Sequence, residues 1–284
     1  ITAQQAVRAA TQRLATDPLL VDSARRDAET LLLHTLGISR ATLLANPSQL
    51  MTDDQVRNYE VCLARRQHHE PIQYILGVQE FYGLPFRVTP AVLIPRPETE
   101  HLVEEVLKRL PNDRPLTIAD IGTGSGAIAI ALAKHLPQAS LLALDLSSAA
   151  LEIAQSNAST LQVSDSIKFT VSDLLEALPL QQRLDYFDAI VSNPPYVPLE
   201  AAAELHPQVR EYEPASALFA GAGGLDIYRR LIPQAHQALR PGGLLALEIG
   251  HGQREDIAKL LSGWRNLDFQ NDLQGIPRVA LATK

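Results

Sequence analysis

Asp120-Ile121-Gly122-Thr123-Gly124-Ser125-Gly126 joins an apolar run at 116–120 to a helix-forming stretch at 126–135. Glycine adopts positive φ without strain and lets a ligand approach the backbone closely. A helix beginning there presents free N–H groups at the turn. Strand, glycine-rich turn and helix together predict the opening unit of an open α/β sheet. With Ala127 the stretch also satisfies the dinucleotide-binding fingerprint. Taken alone such a glycine pattern is a weak signal, and the alternative is a tight strand–helix turn with no ligand.

The residues downstream narrow this choice. Further strands are expected at 140–145, 167–171, 187–192 and 243–249, and helices at 98–110, 148–158, 225–239 and 253–261. Such alternation implies a mostly parallel sheet with helices on both faces. The stretch 265–282, with a turn near Gly275, reads as two antiparallel strands added at an edge. Asp145 ends the second strand about 20 residues after the turn, where a carboxylate accepts ribose hydroxyls. Asp120 distinguishes between ligands, because a carboxylate repels a pyrophosphate. S-adenosylmethionine has no phosphate and is positive at its sulfonium and amino groups, so an acid at Asp120 suits it. Asp120, Gly122, Thr123, Gly124, Ser125, Gly126 and Asp145 are therefore expected to surround that cofactor, with S-adenosylhomocysteine as product. Asp173 is either a further acceptor, meeting the adenine amino group, or the N-cap of a helix at 174–177.

Asn193-Pro194-Pro195-Tyr196 follows the fourth strand. Two prolines fix φ and remove two N–H donors, so the chain leaves the sheet abruptly with carbonyls free. Ligands of open α/β sheets bind at the carboxyl ends of the strands, where this corner falls. The Asn193 side-chain oxygen and the Pro194 carbonyl are suited to accept the two hydrogens of an amide NH2. Pro195 and Tyr196 would flank the planar group, Tyr196 as an apolar wall. An amide nitrogen is a poor nucleophile because its lone pair is delocalised. Two acceptors hold it on the methyl axis and bind the nitrogen better as positive charge develops. The alternative is a structural double-proline turn.

The flanking sequence has another texture. Residues 1–69 read as short helices, with Thr52 and Gln55 at capping-box spacing and Ser23 as an N-cap before a helix that Gly37 ends. Residues 70–97 carry prolines and glycines between short apolar runs and read as a linker with a β-hairpin. Residues 98–284 form the third segment. Arg96 and Glu98, at its start, are either helix-start residues or substrate-facing ones.

Composition excludes other classes. At 46% hydrophobic and 20% charged the chain is globular, and its net charge of −7 argues against a broad nucleic-acid-wrapping face. Its single cysteine, Cys62, forms neither an internal disulfide nor a structural zinc site, and no metal is expected. Gln4, Gln5, Arg8 and Gln12 interrupt any signal-peptide core at the start, and no apolar run is long enough to span a membrane. The expected location is cytoplasmic, with no membrane partner.

Together, the glycine-rich turn, Asp145 and the Asn193 corner resemble class I S-adenosylmethionine-dependent methyltransferases acting on planar amino groups. A fuller likeness runs through most of the chain. Arg26-Asp27-Ala28-Glu29, Glu70-Pro71-Ile72-Gln73-Tyr74-Ile75-Leu76-Gly77, Phe81-Tyr82-Gly83-Leu84 and Ile94-Pro95-Arg96-Pro97-Glu98-Thr99-Glu100 are similar to the release factor glutamine methyltransferase family. Glu213-Pro214, Gly223-Gly224-Leu225 and Glu248-Ile249-Gly250-His251-Gly252-Gln253 fit it as well. The resemblance implies a Rossmann-like class I methyltransferase domain behind a helical, substrate-docking domain. It implies class 1 peptide chain release factors as partners, and the glutamine of their Gly-Gly-Gln loop as methyl acceptor. It places Asn193 and the Asp173–Leu174 region at the cofactor, although Leu174 stands where some members carry Trp. Asn193 to Tyr196 would hold the glutamine amide. Two other readings share the motifs: a nucleic-acid amino-group methyltransferase, which the acidic chain and charge-balanced helical region disfavour, and a cofactor-binding module without catalysis.

Overall fold

Thr2 starts the first helix of the computed structural model, which describes residues 1–284. Its hydroxyl accepts from Gln5 N, and the Gln5 side chain accepts from Thr2 N at 2.9 Å, a reciprocal cap that satisfies both N–H groups. Five helices follow one another: α1 (Ala3–Leu14), α2 (Ala24–Leu36), α3 (Arg40–Ala45), α4 (Asp53–Gln67) and α5 (Ile72–Leu76). Thr52 and Gln55 make the expected box at α4, and Gly37 ends α2 at φ 63°. Ser23 departs from expectation. It is itself in a helical conformation and its hydroxyl donates to Asp27 Oδ2 at 2.7 Å, so it braces the next turn instead of capping it. Ala6, Ala10, Leu14, Leu31, Leu32 and Leu63 supply the buried face. Asp27, also buried, accepts from Arg66 Nε at 2.8 Å. Each charge in that pair satisfies the other, and removing one partner would strand the second.

A hairpin, β1 (Val78–Phe81) and β2 (Leu84–Arg87), opens the second unit, and α6 (Pro97–Arg109) follows. Then come β3 (Leu116–Ile121), α7 (Ala127–His135), β4 (Ala139–Asp145), α8 (Ser148–Thr160), β5 (Ile167–Val171) and β6 (Phe187–Ser192). Short helix α9 (Pro207–Arg210) precedes α10 (Asp226–Ala238), β7 (Leu239–Glu248), α11 (Arg254–Leu260), β8 (Arg265–Asn271) and β9 (Pro277–Thr283). The sheet order is β5-β4-β3-β6-β7-β9-β8; β5 through β7 run parallel, and β9 and β8 form the expected antiparallel edge. From β3 the chain winds outward through β4 and β5, then returns to β6 on the other side. That reversal opens a crevice at the carboxyl ends of β3 and β6.

The two units divide at Gly77, the first comprising Ile1–Gly77 with His206–Tyr212 and the second Val78–Leu205 with Glu213–Lys284. Residues 70–97 thus form no separate linker: α5 lies in the helical unit and the hairpin in the sheet unit. His206–Tyr212 belongs to the helical unit, where the Tyr212 hydroxyl donates to the His68 carbonyl at 2.6 Å.

Apolar burial holds the sheet unit on both faces. Phe81 and Phe86 of the hairpin pack with α6, with α7, whose residues 127–133 are buried, and with one sheet face. Tyr228, Leu231 and Ile257 of α10 and α11 cover the other. Each large apolar side chain so buried contributes roughly 1.5–3 kcal/mol. Asn157 of α8 ties the hairpin to the glycine-rich turn. Its Oδ1 accepts from Arg87 N at 2.8 Å, and its Nδ2 donates to the carbonyls of Arg87 at 3.0 Å and Ser125 at 2.9 Å.

Candidate active site

Gly122, Gly124 and Gly126 have φ of 71°, 55° and 82°, a region costly to any residue with a Cβ. Their surroundings differ. A Cβ on Gly122 or Gly124 would meet nothing within 4 Å, whereas one on Gly126 would come to 3.0 Å from Ile130 Cδ1 and 3.2 Å from Ala154 Cβ. The first two glycines therefore border open space, and the third lets α7 and α8 pack closely.

That open space is a cavity of about 220 Å³ at the crevice between β3 and β6. Each neighbouring strand delivers a residue from its carboxyl end: Ile121 and Gly122 from β3, Asp145 from β4, Ser172 and Asp173 after β5, and Ser192 and Asn193 from β6. Gly124, Leu174, Pro194 and Pro195 also line it. The structure thus brings the glycine turn, Asp145, Asp173, Leu174 and the Asn-Pro-Pro corner to one cavity.

Asp145 accepts from Gly124 N at 2.8 Å and from Ser147 N at 2.9 Å. Burial raises its carboxyl above the usual range, while these backbone bonds pull the other way. Asp173 carries an ion pair with Arg230 at 2.7 Å, and residues 174–177 make turns, so the alternative in which it caps a helix there does not hold. Leu174 sits at φ 50°, an unfavourable conformation for a branched side chain, held while Leu175 N bonds Gln234 Oε1 at 3.1 Å.

Asp120, Thr123, Ser125 and Gly126 do not line the cavity; they lie behind it. Asp120 Oδ2 accepts from Thr123 Oγ1 at 2.6 Å and Ala129 N at 3.2 Å, shaping the turn from within. Its other oxygen is buried without a partner. Burial pushes the Asp120 carboxyl up to about 7, with Asp145 adding to the effect. The exposed glycine backbone and the Asp145 and Asp173 carboxylates line the cavity with negative hydrogen-bond acceptors, and the unpartnered Asp120 oxygen lies behind them, an arrangement suited to a cationic, hydroxyl-bearing ligand. They fit S-adenosylmethionine and disfavour a pyrophosphate.

Tyr196 corrects the expectation of an aromatic wall. Its ring packs against the apolar core, off the cavity, and its hydroxyl donates to Glu248 Oε1 at 3.3 Å. Gln253 clamps the same corner: its Nε2 donates to the carbonyls of Tyr196 at 3.1 Å and Gly224 at 3.2 Å, and its Oε1 accepts from Gly250 N at 2.9 Å. Gly224 has φ 68°, and a Cβ there would stand 2.1 Å from the Tyr196 carbonyl oxygen. Only glycine fits.

Arg96 and Glu98 also lie off the cavity. Arg96 spends its charge on the buried Glu213, which also accepts from Ile94 N at 3.2 Å, so the pair holds the Ile94–Arg96 backbone in place. Desolvation raises the Glu213 carboxyl, with Arg96 opposing. Sequence reasoning missed Ala91, Val92 and Leu93, Ser216, Ala217 and Ile227 in the lining, and Thr99 and Glu248 beside Asn193. These come from loops, helix starts and, for Glu248, the end of β7, whose positions relative to Asn193 only the fold sets.

Comparison with known proteins agrees with this architecture. Residues 5–77 match the family model described as PrmC N-terminal domain, and residues 99–209 the methyltransferase small domain. The chain is 46% identical over 262 residues to a release factor glutamine methyltransferase of Koribacter versatilis, covering 92% of each chain. The release factor glutamine methyltransferase of Coxiella burnetii is 42% identical, covering 100% of this chain and 99% of its own. That of Escherichia coli is also 42% identical, covering 92% of each. Among solved structures, the hMettl16 catalytic domain in complex with the MAT2A 3'UTR hairpin 6 is 20% identical over 81% of each chain, with a TM-score of 0.54. A methyltransferase from Pyrococcus furiosus is 16% identical over 72% of this chain and 90% of its own, at 0.51. At these identities the two structures speak for the fold alone.

Proposed function

The chain belongs to the release factor glutamine methyltransferase family, and from that premise we propose how its residues hold the two substrates. As a methyltransferase of this fold it uses an S-adenosylmethionine-type cofactor. The acceptor is the side-chain amide nitrogen of the glutamine in the Gly-Gly-Gln loop of class 1 release factors. The observation that carries the proposal is the single cavity bordered by Gly122, Gly124, Asp145 and Asn193 to Pro195.

Asp145 accepts the ribose hydroxyls through the lone pairs that Gly124 and Ser147 leave free. Gly122 and Gly124 let the amino-acid portion approach the backbone, and the Asp120 charge behind them favours its cationic groups. Asp173 and Leu174 flank the adenine. When bound, S-adenosylmethionine supplies an electrophilic methyl group on a cationic sulfur. Asn193 Oδ1 and the Pro194 carbonyl accept the two amide hydrogens of the glutamine and set its nitrogen on the methyl axis. As positive charge grows on that nitrogen, both acceptors bind it more strongly, which lowers the barrier. No strong base is needed before attack, because the nitrogen becomes acidic only after transfer and then releases one proton to solvent water. Pro195 fixes the corner, Gln253 and Tyr196 brace it, and Arg96, paired with Glu213, organises the chain leading into α6.

The helical unit serves as the docking surface for the release factor. The test is incubation of the protein with methyl-labelled S-adenosylmethionine and a class 1 release factor, followed by mapping of the label to the glutamine. Label on a nucleic acid included in the same reaction would favour the other amino-group chemistry.

A further inference from the structure

Glu248, at the end of β7, is 1% exposed, and Thr99, in the first turn of α6, is 4% exposed. Thr99 Oγ1 donates to Glu248 Oε2 at 2.6 Å, and the Tyr196 hydroxyl takes the other carboxylate oxygen. Asn193 Nδ2 donates to the same Thr99 Oγ1 at 3.1 Å. Three side chains far apart in sequence thus form one buried chain that ends at the cavity.

The structure assigns Thr99 and Glu248 as positioning residues that fix which end of the Asn193 amide is offered to the glutamine. This rests on the reading of Asn193 as the residue that holds the acceptor amide. The reasoning is one of counting protons. A hydroxyl has one, and an ionised carboxylate can only accept. Thr99 therefore gives its proton to Glu248, and its oxygen is left as an acceptor. Only the Nδ2 end of Asn193 satisfies that acceptor. The flipped amide would set Oδ1 against Thr99 Oγ1, oxygen facing oxygen, inside a buried site where an unmatched pair is costly. Oδ1 is then the end left for the substrate, as a holder of N–H hydrogens requires.

The lock depends on the charge of Glu248. Burial pushes its carboxyl up to about 7, opposed by the bonds from Thr99 and Tyr196 and by Arg278 of β9, and reinforced by Glu98 of α6. Tyr228 of α10 also faces it and donates to its backbone carbonyl at 2.7 Å. Once protonated, Glu248 can donate to Thr99, whose own proton is then free to be donated to Oδ1 of the flipped amide.

The experiment measures turnover with saturating S-adenosylmethionine and intact release factor, beside cofactor affinity by calorimetry. Thr99→Val should lower kcat by about tenfold, the worth of one net hydrogen bond, with little change in cofactor Kd or release-factor KM. Thr99→Ser, which keeps the hydroxyl, should restore the rate. Wild-type kcat should rise with pH through about 7, and Glu248→Gln, which cannot titrate, should lose that rise. Thr99→Val turning over within about twofold of wild type, serine failing to restore it, or the glutamine variant keeping the pH rise each overturns the assignment. If Thr99→Val does not fold, the serine and glutamine variants decide. Wild-type protein that methylates no release factor would instead defeat the functional reading on which the assignment rests.

Discussion

Gly124 N donates to Asp145 Oδ2 across 2.8 Å, so the turn and the carboxylate at the end of the next strand hold each other in place. Asp145→Ala should weaken S-adenosylmethionine binding by about 10- to 100-fold, through loss of a charge-assisted acceptor and release of the turn. Calorimetric titration reads this directly, and unchanged affinity would remove Asp145 from the site.

Asn193→Ala should leave cofactor affinity nearly intact and lower kcat by about 100-fold or more, because its bonds strengthen as charge develops on the nitrogen. Single-turnover rates close to wild type would contradict that role.

Asp120 links cofactor binding to pH. Its folded-state carboxyl is raised to about 7 by burial, and a bound cation draws it back down. Below about 7 binding must expel its proton, so S-adenosylmethionine affinity should rise with pH and level off above that point. S-adenosylhomocysteine, uncharged at sulfur, should show a smaller rise. Calorimetry with both ligands across this range decides, and equal pH dependence for the two would refute the electrostatic role. Stability follows the same groups with the opposite sense. Asp120 and Glu248, both raised to about 7, contribute fully below their unfolded values and less as pH rises through 7, so ligand-free protein should melt lower on the alkaline side.

Gly224→Ala should destabilise the protein by about 2–4 kcal/mol, since it combines a positive φ with a collision against the Tyr196 carbonyl. Scanning calorimetry should show a melting midpoint lower by about 5–15 °C. A midpoint unchanged from wild type would mean that the corner is not tightly clamped.

The contrast between Asp145 and Asp120 shows what a sequence conveys about such a site. Asp145 was legible because its place, at a strand end a fixed distance after the turn, follows from sheet geometry. Asp120 was legible as an acid near the cofactor, but its retreat behind the lining depends on Thr123 and Ala129 N, which the turn folds over it. Tyr196 reads as a wall in a linear motif; the fold turns it inward because Glu248, some fifty positions later, offers its hydroxyl a partner. The sheet, its antiparallel edge and the helical start followed from periodicity. The division at Gly77 and the return of His206–Tyr212 to the helical unit did not, since both depend on long-range packing.

Mass spectrometry of a class 1 release factor, before and after incubation with the protein and S-adenosylmethionine, tests the proposed reaction most directly. One added methyl group is predicted, located by fragmentation on the side-chain amide of the Gly-Gly-Gln glutamine and absent when Asn193→Ala replaces the wild type over the same short incubation. A release factor that gains no methyl group, or gains it on another residue, would contradict the proposed reaction.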